Sequence, residues 1–332
     1  MLDQHQIDVT RKPRLAALCA VGLVLTVLAA NALGARIKLP GGDIYEGDVL
    51  DGQRTGQGVY TWANGTRYEG DFANNRLQGQ GVYTWTDGRT YRGEFVADQR
   101  HGRGLLSWPN GNQYEGMFFE NDMHGQGTFR WANGDVYTGN FISGERTGAG
   151  NFTWHSGQYY EGDFISGIPS GNGRFAYPDG REYSGEFSKG KKAGNGVFSW
   201  PNGNRYVGQF VDDVRSGLGV FYWRDGTVYK GQFQQNKMHG FGVKEQPGSD
   251  RSLQRWVQGE LLLTRALLPV PNCQLVIDGQ PWMFESADCI NGLAHGKGLA
   301  SSLDGRRLVV DGQFVLGRLI SGDIQTLITD AS

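Results

Sequence analysis

Catalytic signatures are missing from this sequence. It holds no P-loop, no Gly-x-Ser-x-Gly and no Cys-x-x-Cys. Its Gly-x-Gly pairs are followed by no helical pattern, so they are not dinucleotide fingerprints. Charge of one sign is also missing: the formal net charge is -2, which implies no broad attraction to nucleic acid. Only three cysteines occur among 332 residues. Beyond the N-terminus no segment reads as a helix. Glycine is abundant, at 53 residues, but without a Gly-x-y period, which excludes a collagen-like chain. Aromatics make up 12%, too many for a disordered glycine-rich tract.

Glycine and aromatic residues together indicate short strands joined by many turns. The exception is the N-terminus. Arg11, Lys12 and Arg14 precede the apolar run Leu15–Ala30, which continues weakly to Ala35. A basic region before an apolar segment is the pattern of a secretory signal or a signal anchor. Leu15–Ala35 is 21 residues, long enough to span a bilayer as a helix, and Ala30-Asn31-Ala32 is a cleavable A-x-A. The basic flank places the N-terminus in the cytoplasm and the rest outside it. The expectation is a membrane-anchored chain, or a secreted one if the signal is cut after Ala32. In an exported chain Cys273 and Cys289 can pair as a disulfide; the alternative is two buried thiols.

From Tyr45 onward a tyrosine recurs every 23 residues: Tyr45, Tyr68, Tyr91, Tyr114, Tyr137, Tyr160, Tyr183, Tyr206 and Tyr229. Two residues after each stands Gly. Two further stands Phe, from Phe72 to Phe233, with Val49 the exception. A period of this size means a stacked array. Each unit reads as two strands, as in Arg67–Phe72 and Gly81–Trp85. The loops before each Tyr are Thr-Asp-Gly, Pro-Asn-Gly and similar. Pro109, Pro178 and Pro201 suit the first central position of a type I turn. A three-residue loop with Gly left-handed and a bulge follows. It pairs Trp62 with Thr66, Tyr60 with Tyr68 and Gly58 with Gly70. One sheet face is then aromatic and glycine, the other mostly polar.

The stretches Tyr68–Gly88 and Tyr114–Gly134 resemble the MORN repeat: Tyr-Glu-Gly, an aromatic, Gly-x-Gly, then an Asp/Asn-Gly turn. The resemblance runs from Tyr45 to about Val243. It implies an all-β repeat array, one elongated antiparallel sheet of stacked hairpins, here preceded by one N-terminal hydrophobic helix. Family members are read as modules for protein contacts or membrane association. The expected organisation is a cytoplasmic segment 1–14, an anchor or signal 15–35, nine repeats over 41–249, and a degenerate repeat or small β cap over 250–332. Nine hairpins give about 18 strands, on the order of 85 Å of stacked sheet.

The functional candidate is the aromatic face: Tyr60, Trp62, Tyr68, Phe72, Trp85, Tyr91, Phe95, Trp108, Tyr114, Phe118, Phe129, Trp131, Tyr137 and Phe141. Either its rings only pack on one another, or part of the face stays open and binds something extended. Arg76, Arg100, Arg103, Arg146, Lys189, Lys191, Lys192, Arg215 and Lys237 form a candidate basic rim, diluted by Glu120, Asp122, Glu145, Asp212 and Asp213. His101, His124, His239 and His295 share one position before Gly; at about 9–10 Å between neighbouring copies they suit a strand-end role better than one zinc. Glu46, Glu69, Glu115 and Glu161 read as a solvated ladder. No catalytic, cofactor or metal residue is assigned. The expected function is a non-enzymatic, membrane-associated scaffold for an unknown protein partner in the cell envelope, with no nucleic acid. The alternative is a direct binder of phospholipid headgroups or envelope glycans.

Overall fold

The computed structural model describes residues 34–249, 251–266, 273–285, 289–303 and 306–326. The N-terminal helix expected over 15–35 lies outside these residues up to position 33. Ala35 already belongs to the first strand, Ala35–Lys38. Among the described residues no helix is long and apolar enough to cross a membrane.

Twenty-one antiparallel strands form one sheet, each paired with the next in sequence from Ala35–Lys38 to Glu260–Ala266. The alternation of the repeat explains the pairing. In Arg67–Ala73 the residues Tyr68, Gly70 and Phe72 are buried, while Arg67 and Glu69 are exposed. Trp62 N–H donates to the Thr66 carbonyl at 2.9 Å, and Tyr60 faces Tyr68 and Gly58 faces Gly70, so the loop has three residues. Gly65 closes it at φ +90°, the left-handed region that glycine enters freely.

A second kind of turn joins Arg67–Ala73 to Arg76–Thr84. Asn74 and Asn75 both have positive φ, 51° and 69°, the backbone of a two-residue type I′ hairpin. Neighbouring repeats clamp this turn. Asn75 Oδ1 accepts from the Arg54 N–H at 2.9 Å, and the Asn75 N–H donates to the Arg54 carbonyl at 3.1 Å. The same side-chain bond recurs at Asp98 with Leu77 and at Asn121 with Arg100.

Among the described residues after 250 the strands divide between the large sheet and smaller ones. Ser252–Val257 and Glu260–Ala266 extend the large sheet by a hairpin, with Trp256 taking the place of the repeat Phe beside Tyr229. The segment after them forms a separate six-stranded sheet, with Gly298 facing Gly312 and Gly296 facing Phe314, as Gly81 faces Gly93 and Gly79 faces Phe95 in the array. This second sheet lies on the back of the large one. Leu299 and Leu308 form one core with Val243 and Leu253, edged by Leu218, Phe241 and Val310. The polar face expected from the early repeats therefore becomes apolar where it is covered. Cys273 and Cys289 are joined by a disulfide across 5.7 Å between their Cα atoms.

The paired glycines set a strict limit on substitution. A Cβ at Gly150 would sit 2.5–2.7 Å from atoms of the Tyr137 ring. Gly150→Ala is expected to destabilise the array by about 1–3 kcal/mol, the cost of overpacking. Gly52→Ala, at a turn with open space around it, pays only for its left-handed φ. Urea unfolding of both variants measures the difference; equal effects would remove the ring-on-glycine explanation.

Candidate functional site

The aromatic face divides into two rows with different exposure. Tyr68, Tyr91, Tyr114 and Tyr137 are fully buried, and Phe72, Phe95, Phe118 and Phe141 are 2–3% exposed. Tyr60 is also buried, at 8%. These nine expected contact residues are the core of the array. The cause is geometric. Each Tyr ring lies over a glycine pair and touches two Phe rings edge-on, one in its own repeat and one in the next. For Tyr68 these are Phe72 and Phe95, both at 5.1 Å.

The tyrosine hydroxyls are satisfied within the sheet. From Tyr45 to Tyr206 each donates to the carbonyl three residues on, at 2.7–3.1 Å. Tyr229, in the last repeat, has a buried hydroxyl without a partner. Burial raises these phenols; for Tyr160 the pKa is pushed up to about 12.

The second row stays half-buried: Trp62, Trp85, Trp108, Phe129 and Trp131 among the expected residues, continued by Trp154, Tyr177, Trp200 and Trp223. Its rings are packed side by side. Phe129 to Trp131 is 4.4 Å, Trp131 to Phe152 is 5.3 Å and Phe152 to Trp154 is 4.4 Å. The row breaks once, where Leu106 stands between Trp85 and Trp108. Beside Trp131 an open depression of about 250 Å³ is lined by Met123, Phe129, Phe141, Glu145 and Arg146.

The expected basic rim keeps part of its cations: Arg76, Lys189, Lys191 and Lys237 are exposed in or beside the two-residue turns. Arg100, Arg146, Lys192 and Arg215 face the Phe of their own hairpin, so they lie on the aromatic side. Arg146 stacks over Trp131 at 5.4 Å and over Phe152 at 5.3 Å, and donates to the Gly167 carbonyl at 2.8 Å. Arg100 and Arg215 repeat the arrangement over Trp85 and Trp200. Arg103 instead faces Met117 across the strands, on the other side of the sheet. Lys191 and Lys192 are paired with Asp212 and Asp213. The stacking role of the cation column was missed in the sequence, although the column is visible there: Arg54, Leu77, Arg100, Met123, Arg146, Pro169, Lys192, Arg215 and Met238 are 23 apart.

Other candidates gather no reactive geometry. His101 and His124 flank the Phe119 ring, at 5.2 and 5.7 Å. Among the described residues no group of three or more His, Cys, Asp or Glu could hold a metal ion. Glu69, Glu115 and Glu161 are exposed on the back face. The neighbouring Asp71 and Glu94 are occupied, each accepting a backbone N–H of the bulged strand, from Gln80 and Arg103.

A sequence model of the family described as "MORN repeat" matches residues 45–67, 68–88, 91–113, 114–136, 137–159, 160–180, 183–205, 206–228 and 229–251. No curated protein matches the chain. Among solved structures, the chain is similar to the SAS-4 (dCPAP) TCP domain of Drosophila melanogaster, solved with a proline-rich motif of Ana2 (dSTIL): 15% identity, 53% of this chain and 90% of that one, TM-score 0.33. It is also similar to the G-box domain of the microcephaly protein CPAP, at 13% identity over 68% and 99% of the two chains, TM-score 0.26. A virginiamycin B lyase from Staphylococcus aureus follows at 8% identity over 90% and 85%, TM-score 0.14. At these scores the likeness carries nothing about ligand or partner.

Two outcomes test the buried row. Tyr137→Phe removes a hydroxyl that donates to the Asn140 carbonyl, and is expected to cost about 1 kcal/mol; Tyr229→Phe removes an unpartnered hydroxyl and is expected to be neutral or stabilising. Thermal unfolding of both variants decides. Alkaline titration provides the second. A folded-state pKa raised above the ordinary 10.0 gives stability that is complete below pH 10 and lost as pH climbs through about 12, the value of Tyr160. Tyrosinate absorbance and loss of the β-sheet circular dichroism should rise together in that window. Ionisation of the buried column tyrosines, Tyr160 among them, near pH 10 with the sheet intact would contradict it.

Proposed function

The chain belongs to the MORN-repeat family, with nine matched copies, and on that premise we propose that it is a non-enzymatic scaffold that binds a protein partner along the second aromatic row of its array. The observation that carries this reading is the half-buried Trp row, running beside a column of cations across the repeats. Tryptophan and arginine are the side chains that anchor protein interfaces most often. The row is long and only partly wet, as an extended contact needs. Its rings are held by the core beneath them, so little side-chain freedom is lost when a partner docks.

The membrane tether belongs to the same proposal. Arg11, Lys12 and Arg14 before the apolar run support an anchor with the array on the extracytoplasmic side of the envelope. The Cys273–Cys289 disulfide supports that side too, since such bonds persist in oxidising compartments. The reading as a direct lipid binder is the less supported one, because four of the nine rim cations turn onto the aromatic face while Arg76, Lys189, Lys191 and Lys237 stay exposed at the turns.

The test is capture from a solubilised envelope fraction with the intact chain and with Trp131→Gln/Trp154→Gln. Both positions lie in the half-buried upper row and not in the tyrosine core, so the double variant is expected to fold, which circular dichroism checks. A protein retained by the intact chain and reduced about tenfold or more by the double variant supports the scaffold; that factor corresponds to about 1.4 kcal/mol. Equal retention moves the contact elsewhere. Recovery of lipid or glycan alone overturns the proposal.

A further inference from the structure

We propose that the open aromatic row binds an acidic, proline-rich segment in the polyproline II conformation, lying along the stacking axis of the repeats. This names the partner chemistry of the scaffold reading and rests on it.

Spacing is the first support. Each repeat contributes two strands, so equivalent side chains recur about every 9.6 Å along the sheet. A polyproline II helix has three residues per turn and rises ~3.1 Å per residue, so it presents the same face about every 9.3 Å. The mismatch is roughly 0.3 Å per repeat, on the order of 1 Å over four repeats, within reach of side-chain adjustment. Other conformations do not keep step. An extended strand repeats its face about every 6.7 Å. An α-helix turns about every 5.4 Å.

The relief of the row is the second. Phe152 and Phe198 are 7–8% exposed while Phe129, Phe175 and the Trp residues beside them stand higher, so the troughs of the row recur every two repeats, the period of the cations. Adjacent rings touch at 4.4–5.5 Å, tilted by 41–48° to one another. What remains open is crest edges and the depression beside Trp131. A pyrrolidine ring is compact and fits between crests, the mode by which aromatic-lined grooves take proline-rich chains.

Charge is the third. Arg54, Arg100 and Arg146 are 46 residues apart, two repeats, with Leu77 and Met123 at the positions between. Among the described residues none of the three has a carboxylate within ion-pair distance; the neighbouring Arg76 and Arg89, by contrast, pair with Asp98 and Asp87. Each gives one N–H to a loop carbonyl at 2.6–2.8 Å and lies over aromatic rings. Burial lowers the pKa of Arg100 and Arg146, so their charge is held at a cost that an arriving carboxylate would relieve. Lys192 continues the series but already pairs with Asp213. Two repeats span about 19 Å, or six polyproline II residues at about 18.6 Å. The complementary segment therefore carries a carboxylate every sixth residue.

The test uses the full chain and fluorescently labelled 18-residue proline-rich peptides. One carries Glu every sixth residue, one Glu every fourth, and one Lys every sixth. A Thr/Val-rich peptide with Glu every sixth residue and a chito-oligosaccharide complete the set. The six-spaced Glu peptide is expected to bind at least about tenfold tighter than the Lys peptide, with affinity falling as salt is raised. Arg146→Met, which copies the residue already at Met123 and Met238, is expected to weaken it severalfold. Met123→Arg is expected to favour a peptide with Glu every third residue. Equal binding of the Glu and Lys peptides overturns the proposal. So does tighter binding of the Thr/Val peptide or the oligosaccharide, or no binding of any peptide. If the peptides fail while the envelope capture succeeds, the scaffold stands and this partner chemistry does not.

Discussion

Every repeat depends on one contact: a tyrosine ring laid over two glycines that face each other across neighbouring strands. Gly70 faces Gly81, and a Cβ on Gly81 would come within 2.4–2.5 Å of the Tyr68 ring. Without side chains there, the ring drops onto the backbone and its hydroxyl reaches the Asp71 carbonyl. That height lets Phe72 and Phe95 meet the same ring edge-on from either side. Such edge-to-face pairs add about 0.5–1.5 kcal/mol each beyond simple burial. A sheet with no second layer over most of its length thus builds a dry core one ring thick. The glycines weaken strands locally, and the ring packing they permit offsets that loss.

The two faces of the sheet then take different roles. The ring face supplies stability through its lower row and an open surface through its upper one. The opposite face is polar where it is open, with Gln57, Gln80 and Gln126 recurring, and apolar at its C-terminal end, where Leu218, Val220, Phe241 and Val243 replace them or stand nearby. Composition changes where the second sheet lands. The array thus ends in two ways at once: a hairpin prolongs the large sheet, and the six-stranded sheet covers its back.

Much of this was legible in the sequence because the repeat has no insertion. The three-residue loop followed from Pro109, Pro178 and Pro201 before Asn-Gly or Asp-Gly, and it fixed which residues face each other. Exposure was not legible. Tyr and Trp alternate on the same face, and only the depth to which Tyr sinks over glycine separates core from surface. The direction of Arg100 and Arg146 was also hidden, because a two-residue turn with left-handed Ala97 or Ser143 places them opposite Phe, and those residues do not announce positive φ. The placement of residues 273–326 could not be read from their worn Gly-x-Gly pattern. That pattern sets pairing within a hairpin and is silent on which sheet the hairpin joins.

The backbone of the array returns to itself after one repeat, but the cation column from Arg54 to Lys192 returns only after two. The fold and its charge pattern therefore have different unit cells. Losing one repeat would leave the hydrogen bonding intact and put the charges on either side of the deletion out of phase. Losing an adjacent pair within that stretch would preserve both. The parity of the repeat number, which the sheet itself cannot sense, is thereby written onto its surface.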